Sequence, residues 1–403
     1  MVIRRTLPRR ARKGPSCLTW FLLAVIALLG LFIVRNVEDV RTVIIPEPTP
    51  EPTRSATSYA ATAALYQRDG EYAEAIQAFT TAVQLDVTRV EFYIPLIELL
   101  VLTRRPEEAI EWADRAILLE PDNDRVWAAL AAAQIAYGQR LSSSGYPTDA
   151  TLAYASAEQA ARWAIAINPQ NATAWAYVTG ALARPGPEHA RRYLEAQEAA
   201  DMAVTLEPNN PIAHRYRASI LELQGYYTAA MDAYLAGISI NPNLPELHIG
   251  LAYNYFATQN IPLAIRTFED ALAIDPDNAD AYNGIGYMYF LIGEYPRAEE
   301  YLARGVELDP EMVRGHAQLG AAYFRNLNYD DAIERLEYAT AKYRTPNAIN
   351  AIYFNMLGLA YNYTDPGRCP EANAIFERVL EVVPDHPDAL EGLRRCRAAV
   401  LDQ

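Results

Sequence analysis

Residues 245–278 read PELHIGLAYNYFATQNIPLAIRTFEDALAIDPDN, and residues 279–312 read ADAYNGIGYMYFLIGEYPRAEEYLARGVELDPEM. Laid one over the other, the two stretches agree in kind. Leu251-Ala252 with Tyr255 falls on Ile285-Gly286 with Tyr289, Ala264 falls on Ala298, and Pro276 falls on Pro310. Each stretch holds two apolar runs of helical length and period, and its proline ends the second because it has no N–H for the helical ladder. The recurring alanine and the small residue eighth in the stretch let two helices approach closely. One such pair cannot bury its apolar faces alone, so stacked copies are required to make a core.

Working outward, the alanine recurs at 75, 109, 157, 196, 230, 264, 298, 332 and 372, with gaps of 34, 48, 39, 34, 34, 34, 34 and 40. A proline follows by twelve residues at 121, 169, 208, 242, 276, 310 and 384. Phe79, Tyr234, Phe268 and Phe376 stand four residues after their alanines, and Leu319-Gly320 with Tyr323 and Leu357-Gly358 with Tyr361 repeat the upstream spacing. A period of this kind marks a repeat architecture.

The pattern resembles the tetratricopeptide repeat family, whose 34-residue unit reads W-x2-L-G-x2-Y, then A-x3-F, then P. Nine units fit, at 56–89, 90–123, 124–171, 172–210, 211–244, 245–278, 279–312, 313–346 and 351–386, with Pro387 to Leu401 repeating the first helix as a cap within 387–403. The resemblance implies an all-α solenoid wound into a right-handed superhelix with a concave groove. Departures are Val87 in place of a proline, Pro346 two residues late, and insertions Tyr137 to Ala150, Ala183 to Arg192 and Thr364 to Pro370. The insertions are expected at the turn within each unit, projecting from one rim.

Ahead of the repeats, Cys17 to Val34 reads CLTWFLLAVIALLGLFIV, uncharged throughout. At about 1.5 Å per residue this stretch is expected to act as a transmembrane signal anchor. Six basic residues lie in 1–16, so the positive-inside rule predicts a cytoplasmic N-terminus and an extracytoplasmic body, in the cell envelope. The opposite orientation is the competing expectation: a cytosol-facing receptor, or an adaptor regulating a membrane-associated enzyme. Residues 35–55, with alternating prolines from Pro46 to Pro52, are expected to form a stiff spacer.

The net charge of −15 divides unevenly. Residues 1–54 hold nine basic and four acidic residues, leaving 26 basic and 46 acidic beyond them, a net of −20. A polyanionic body repels phosphate backbones, so no nucleic-acid partner is expected. Three cysteines exclude a four-cysteine metal site. His214, His248 and His316 share the fourth position of three units with Trp127, Trp175, Tyr59 and Tyr282 elsewhere, so packing explains them and no metal or cofactor is expected. Gly284-Ile285-Gly286 with Gly293 lies inside an expected helix, which excludes a nucleotide loop. No nucleophile motif or paired carboxylates stand outside the repeats, and the reading is of a binding protein with no enzymatic activity.

The family resemblance further implies that the second, fifth, ninth, twelfth and thirteenth residues of each unit line the groove. On this chain the later units supply Arg215, Tyr253, Asn283, Tyr287, Phe290, Arg314, Phe324, Arg325, Asn355, Asn362 and Tyr363. The early units supply Ala60, Ala64, Ile94, Val101, Ala128, Ala132 and Ile135. Amides pair with a peptide backbone and aromatic faces take its apolar side chains, so peptide or helical segments of other proteins are the expected ligands of a scaffold or assembly factor. The lysine-and-asparagine carboxylate clamp of some family members is missing, since the chain has only Lys13 and Lys342. Cys369 and Cys396 fall at one junction between consecutive helices. They are either a disulfide fastening the cap or two unpaired thiols.

Overall fold

A computed structural model describes residues 17–35, 54–184, 191–364 and 368–401. The basic tail 1–16, most of the proline-rich spacer, and positions 185–190, 365–367 and 402–403 lie outside the described residues. Two units are present, residues 1–55 and residues 56–403. All of the regular structure is helical: twenty α-helices and one 3-10 turn, with no strand among the described residues.

The first unit contributes α1, Cys17–Arg35, whose apolar side chains from Leu18 to Val34 are largely exposed. Among the described residues no helix is long and apolar enough to cross a membrane. The expected single-pass anchor, with a cytoplasmic N-terminus and an extracytoplasmic body, is therefore corrected. Its eighteen uncharged residues make about 27 Å of helix before Arg35, at the short end of the roughly 17–25 residues that a hydrocarbon layer of about 30 Å takes.

The second unit runs α2 (Ala56–Asp69), α3 (Tyr72–Leu85), α4 (Tyr93–Leu102), α5 (Pro106–Leu119), α6 (Asp124–Ser143), α7 (Pro147–Ile167), α8 (Ala172–Leu182), α9 (Tyr193–Leu206), α10 (Pro211–Leu223) and α11 (Tyr227–Ile240). It continues through α12 (Pro245–Ala257), α13 (Ile261–Ile274), α14 (Ala279–Leu291), α15 (Tyr295–Leu308), α16 (Val313–Arg325), α17 (Tyr329–Tyr343), α18 (Ala351–Thr364), α19 (Cys369–Val382) and α20 (Pro387–Leu401). Each helix packs against the next, and the first helices of neighbouring pairs, such as α10 with α12 and α16 with α18, also touch. The starts of α10, α12, α14 and α16 are spaced by 34 residues.

All nine alanines that set the sequence register are fully buried, and Phe268 and Phe376 beside two of them are also at 0% exposure. Alanine is needed there because the partner helix leaves no room. At the eighth position the restriction is stronger still: a Cβ on Gly286 would lie 2.6 Å from Leu302 Cγ and 3.0 Å from the Leu302 backbone nitrogen, and Gly320 meets Leu336 in the same way. The glycine pair 284 and 286 thus serves helix packing within α14.

Helix starts are marked by asparagine caps. Asn123, Asn171, Asn210, Asn260 and Asn278 accept hydrogen bonds from first-turn N–H groups of α6, α8, α10, α13 and α14. Such a cap stabilises a helix by about 1 kcal/mol. Ring nitrogens at the fourth position close the joint between repeats. Trp127 Nε1 donates to Pro121 O at 2.7 Å, Trp175 Nε1 to Pro169 O at 3.0 Å, and Nε2 of His214, His248 and His316 to the carbonyls of Pro208, Pro242 and Pro310 at 2.8, 3.0 and 3.0 Å. A carbonyl only accepts, so each of these imidazoles carries its proton on Nε2.

The turn inside each regular pair needs one residue in the left-handed region. Gly70, Gly225 and Gly293 fill it at φ of 81 to 83°, and Arg104, Gln259 and Leu327 fill the equivalent places at 61 to 65°. Glycine adopts that conformation without cost, whereas a side chain there costs about 1 kcal/mol.

The pair α6–α7 departs from the pattern. The insertion expected as a rim loop at 137–150 is helix instead: α6 has 20 residues and α7 has 21, and only Ser144, Gly145 and Tyr146 join them. Gly145 at φ +82° ends α6 and Pro147 begins α7, a stop and a start that leave no loop.

Candidate functional site

Aromatic rings repeat along the first helices of successive pairs, and rings from the second helices α13 and α17 join them. Tyr253 lies edge-on to Phe268 at 5.0 Å, Phe256 to Tyr287 at 5.9 Å, and Tyr287 stacks on Phe290 at 6.3 Å. Further on, Phe324 stacks on Tyr363 at 6.2 Å, and Tyr329 meets Tyr363 at 5.1 Å. Tyr343 and Tyr353 stack at 6.5 Å. Helical spacing of large side chains on α12, α14, α16 and α18 supplies most of this row, because residues three or four apart share a helix face, and Phe268, Tyr329 and Tyr343 come from α13 and α17.

The expected groove residues divide into three groups. Arg314, Arg325 and Tyr363 are exposed, while Arg215, Tyr253, Tyr287, Phe290 and Asn362 are half-buried. Asn283, Phe324 and Asn355 are buried, at 1%, 9% and 2% exposure. By register all three groups share one side of their helices, at different depths. Among the described residues the buried atoms Asn283 Nδ2 and Asn355 Oδ1 have no hydrogen-bond partner, and neither do Gln318 Oε1 and Asn254 Oδ1. Asn362 is committed elsewhere: its Nδ2 donates to Gly392 O at 3.4 Å and to Cys396 Sγ at 3.1 Å, holding α20 against α18.

Two arginines are set among the rings. The Arg215 guanidinium lies 5.1 Å from the Tyr216 ring centre and that of Arg314 lies 5.8 Å from Tyr253. Arg314 also donates to Asp280 at 3.4 Å. Tyr253 above all, and Asp280 after burial's opposing effect, raise the Arg314 pKa, so its charge is held at every ordinary pH. Burial raises the pKa values of Tyr177, Tyr216, Tyr253, Tyr343 and Tyr353, which keeps this set of phenols neutral. Tyr154 is pushed up to about 12 for the same reason. Burial also raises the Glu222 carboxyl, which accepts a hydrogen bond from Tyr234 OH at 3.2 Å.

Sequence reasoning missed Gln318, Tyr216, Tyr343 and Tyr353. Gln318 and Tyr216 sit sixth in their units, one place beyond the fifth-position row, and Tyr343 and Tyr353 flank an irregular link between α17 and α18. An amide inside the otherwise small and apolar stretch Ala317 to Ala322 was the available signal for Gln318.

At the other side of the cap, Cys369 and Cys396 form a disulfide with Cα atoms 5.4 Å apart. Among the described residues no group of three or more His, Cys, Asp or Glu side chains is placed to hold a metal ion.

A Tetratricopeptide repeat model matches residues 66–133, and a second Tetratricopeptide repeat model matches residues 189–245 and 249–313. The all-α solenoid is therefore one of tetratricopeptide repeats, as the 34-residue register implied. Among solved structures, the APC/C hetero-tetramer Cut9-Hcn1 is similar at a TM-score of 0.58 and 14% identity, covering 90% of this chain and 81% of that one. The human IFIT1 dimer with PPP-AAAA is similar at 0.57 and 17% identity, covering 85% and 83%. At these identities both speak for the fold alone. YrrB, described as a TPR protein with an unusual peptide-binding site, shares 21% identity over 49% of this chain at a TM-score of 0.39. No curated protein sequence matches the chain.

Proposed function

We propose that this chain is a protein-interaction scaffold that takes an extended peptide segment along α10, α12, α14, α16 and α18. The observation that carries the reading is the set of buried amide atoms on Asn283, Gln318 and Asn355, which have no partner among the described residues. A buried polar group left unpaired costs about 1–3 kcal/mol, so a ligand backbone that supplies the missing donors and acceptors recovers that cost. The rings of Tyr253, Tyr287 and Phe290 offer faces for alternate side chains of such a segment, while Arg215 and Arg314 add fixed positive charge. Work of this kind is docking without covalent chemistry.

The test is selection of random peptides displayed on phage against the full chain, followed by titration of the selected sequences onto variants. Tyr287→Ala combined with Arg325→Ala is expected to weaken binding at least about tenfold, the loss of two contact side chains, with the melting temperature nearly unchanged. Selected peptides that bind the double variant as well as the parent would remove the reading.

A further inference from the structure

The extra length of α6 and α7 has a destination. Relative to the 13- and 14-residue helices of the regular pairs, about seven more residues in each carry the connecting turn roughly 10 Å farther out. There Ser144 Oγ donates to Glu311 Oε2 at 3.3 Å across 167 residues of sequence, and Lys342 Nζ donates to Tyr146 OH at 3.1 Å across 196. Lys342 Nζ also stands 4.8 Å from the centre of the Tyr146 ring. Between these two contacts the backbone fits closely: a Cβ on Gly145 would lie 3.3 Å from both Lys342 Cβ and Val313 Cγ2. Ser144 is buried to 3% exposure although it is a turn residue. One repeat earlier, the turn residue Arg104 reaches Asp280 Oδ2 at 3.9 Å, and Asp280 is the carboxylate that also holds Arg314. The turns of an early stretch of the solenoid therefore meet the helix ends of a late stretch, and Asp280 in that contact holds Arg314 and stands three residues before Asn283 on α14.

We infer that the α6–α7 tip is a latch on the peptide site. Seated between Glu311, Val313 and Lys342, it joins the two edges of the superhelix, so a segment enters only along the superhelix axis. Released, it opens the site from the side. The contact suits a reversible closure. It consists mostly of polar and charged side chains on a small, well-fitted patch, and its exposed contacts, those of Arg104 and Lys342, are individually weak and screened by salt. Nothing in the local geometry of α6 or α7 requires the extra turns, since the shorter pairs fold and stack without them. The inference rests on the peptide-groove reading for its purpose, but its geometry is testable without any peptide.

The experiment uses the full chain with Cys17→Ser as parent. Tyr287→Cys places one thiol on α14, seven residues beyond Asp280, and its rate of labelling by a polyethylene-glycol maleimide reports lateral access. Methyl methanethiosulfonate, small enough to enter in either state, reports thiol reactivity. Combining Arg104→Ala, Ser144→Ala and Tyr146→Ala is expected to speed maleimide labelling about tenfold with the small reagent unchanged, and to increase the radius of gyration in X-ray scattering. High salt should move the unaltered latch in the same direction. A second pair of thiols, Ser144→Cys with Glu311→Cys, is expected to close under mild oxidation and to slow the bulky reagent below the parent rate. Equal labelling and an equal radius of gyration in the open, parent and oxidised chains would overturn the latch. Failure of the peptide reading would show itself separately, as loss of selected-peptide binding specificity with the labelling contrast intact.

Discussion

The four pairs from α10 to α17 and the pair α6–α7 share one repeat pattern and use it for different ends. In the regular pairs, helices of 13 to 15 residues and one left-handed turn residue satisfy the stacking requirement and nothing more. In α6–α7 the same alanines pack the base, with Ala157 and Ala164 fully buried, while the added turns reach a partner more than 160 residues away. The contrast teaches that period sets which faces pack, whereas length added within a repeat sets which distant repeats meet.

The largest expected effect tests the regular side of that contrast. Phe268 is fully buried against Gly284 on the next pair, so Phe268→Ala should cost about 3–5 kcal/mol in urea unfolding. Leu152 on α7 is 63% exposed, and Leu152→Ala should cost less than about 0.5 kcal/mol. Similar costs at both positions would break the distinction between packed base and projecting arm.

Next comes the cap. Reducing the Cys369–Cys396 disulfide releases a closure with a sequence separation of 27, and should cost about 3 kcal/mol by widening the unfolded ensemble. Hydrogen exchange should accelerate in α19 and α20 and stay unchanged in α12 to α15. Uniform acceleration along the chain would show that the solenoid unfolds as one body.

Smaller effects probe the joints. His316 is buried at 5% exposure and donates from Nε2 to Pro310 O. Burial, its largest influence, lowers its pKa below the ordinary value of about 6.5. The folded chain then binds fewer protons than the unfolded one, so this contribution is complete above about pH 6.5 and is lost as pH falls from there through the folded value. His316→Phe should remove about 1 kcal/mol at pH 8 and flatten the acid slope. An unchanged slope would mean that other groups control acid sensitivity. Smallest of all, Gln259→Gly should raise stability by up to about 1 kcal/mol, because the left-handed turn suits glycine.

Much of the packed base was legible in the sequence. Nine alanines in phase named nine buried contacts, and the fourth-position rings were recognised as structural, although their bonds to proline carbonyls were not foreseen. The left-handed turn could have been read from Gly70, Gly225 and Gly293, each fifteenth in its unit, but Arg104, Gln259 and Leu327 hid the rule. The site was legible in register and not in depth. Sequence assigned Asn283 and Asn355 to groove positions, whereas both are buried, because burial depends on how neighbouring repeats pack against them. For 137–150 the place of the insertion, at the turn of its unit, suggested a loop, whereas Gly145 followed by Pro147 already contained a helix stop and start. The contact with Glu311 and Lys342 could not be read, since no periodicity links residues so far apart. The anchor reading is overturned because no helix among the described residues, α1 included, is long and apolar enough to cross a membrane.

The most direct test of the peptide groove is hydrogen–deuterium exchange of the full chain with and without a phage-selected peptide at saturation. Ordering the row of Asn283, Gln318 and Asn355 should protect backbone amides in α14, α16 and α18, with α13, α15 and α17 unaffected. Protection confined to α13, α15 and α17 would place the ligand on the opposite surface and contradict the account.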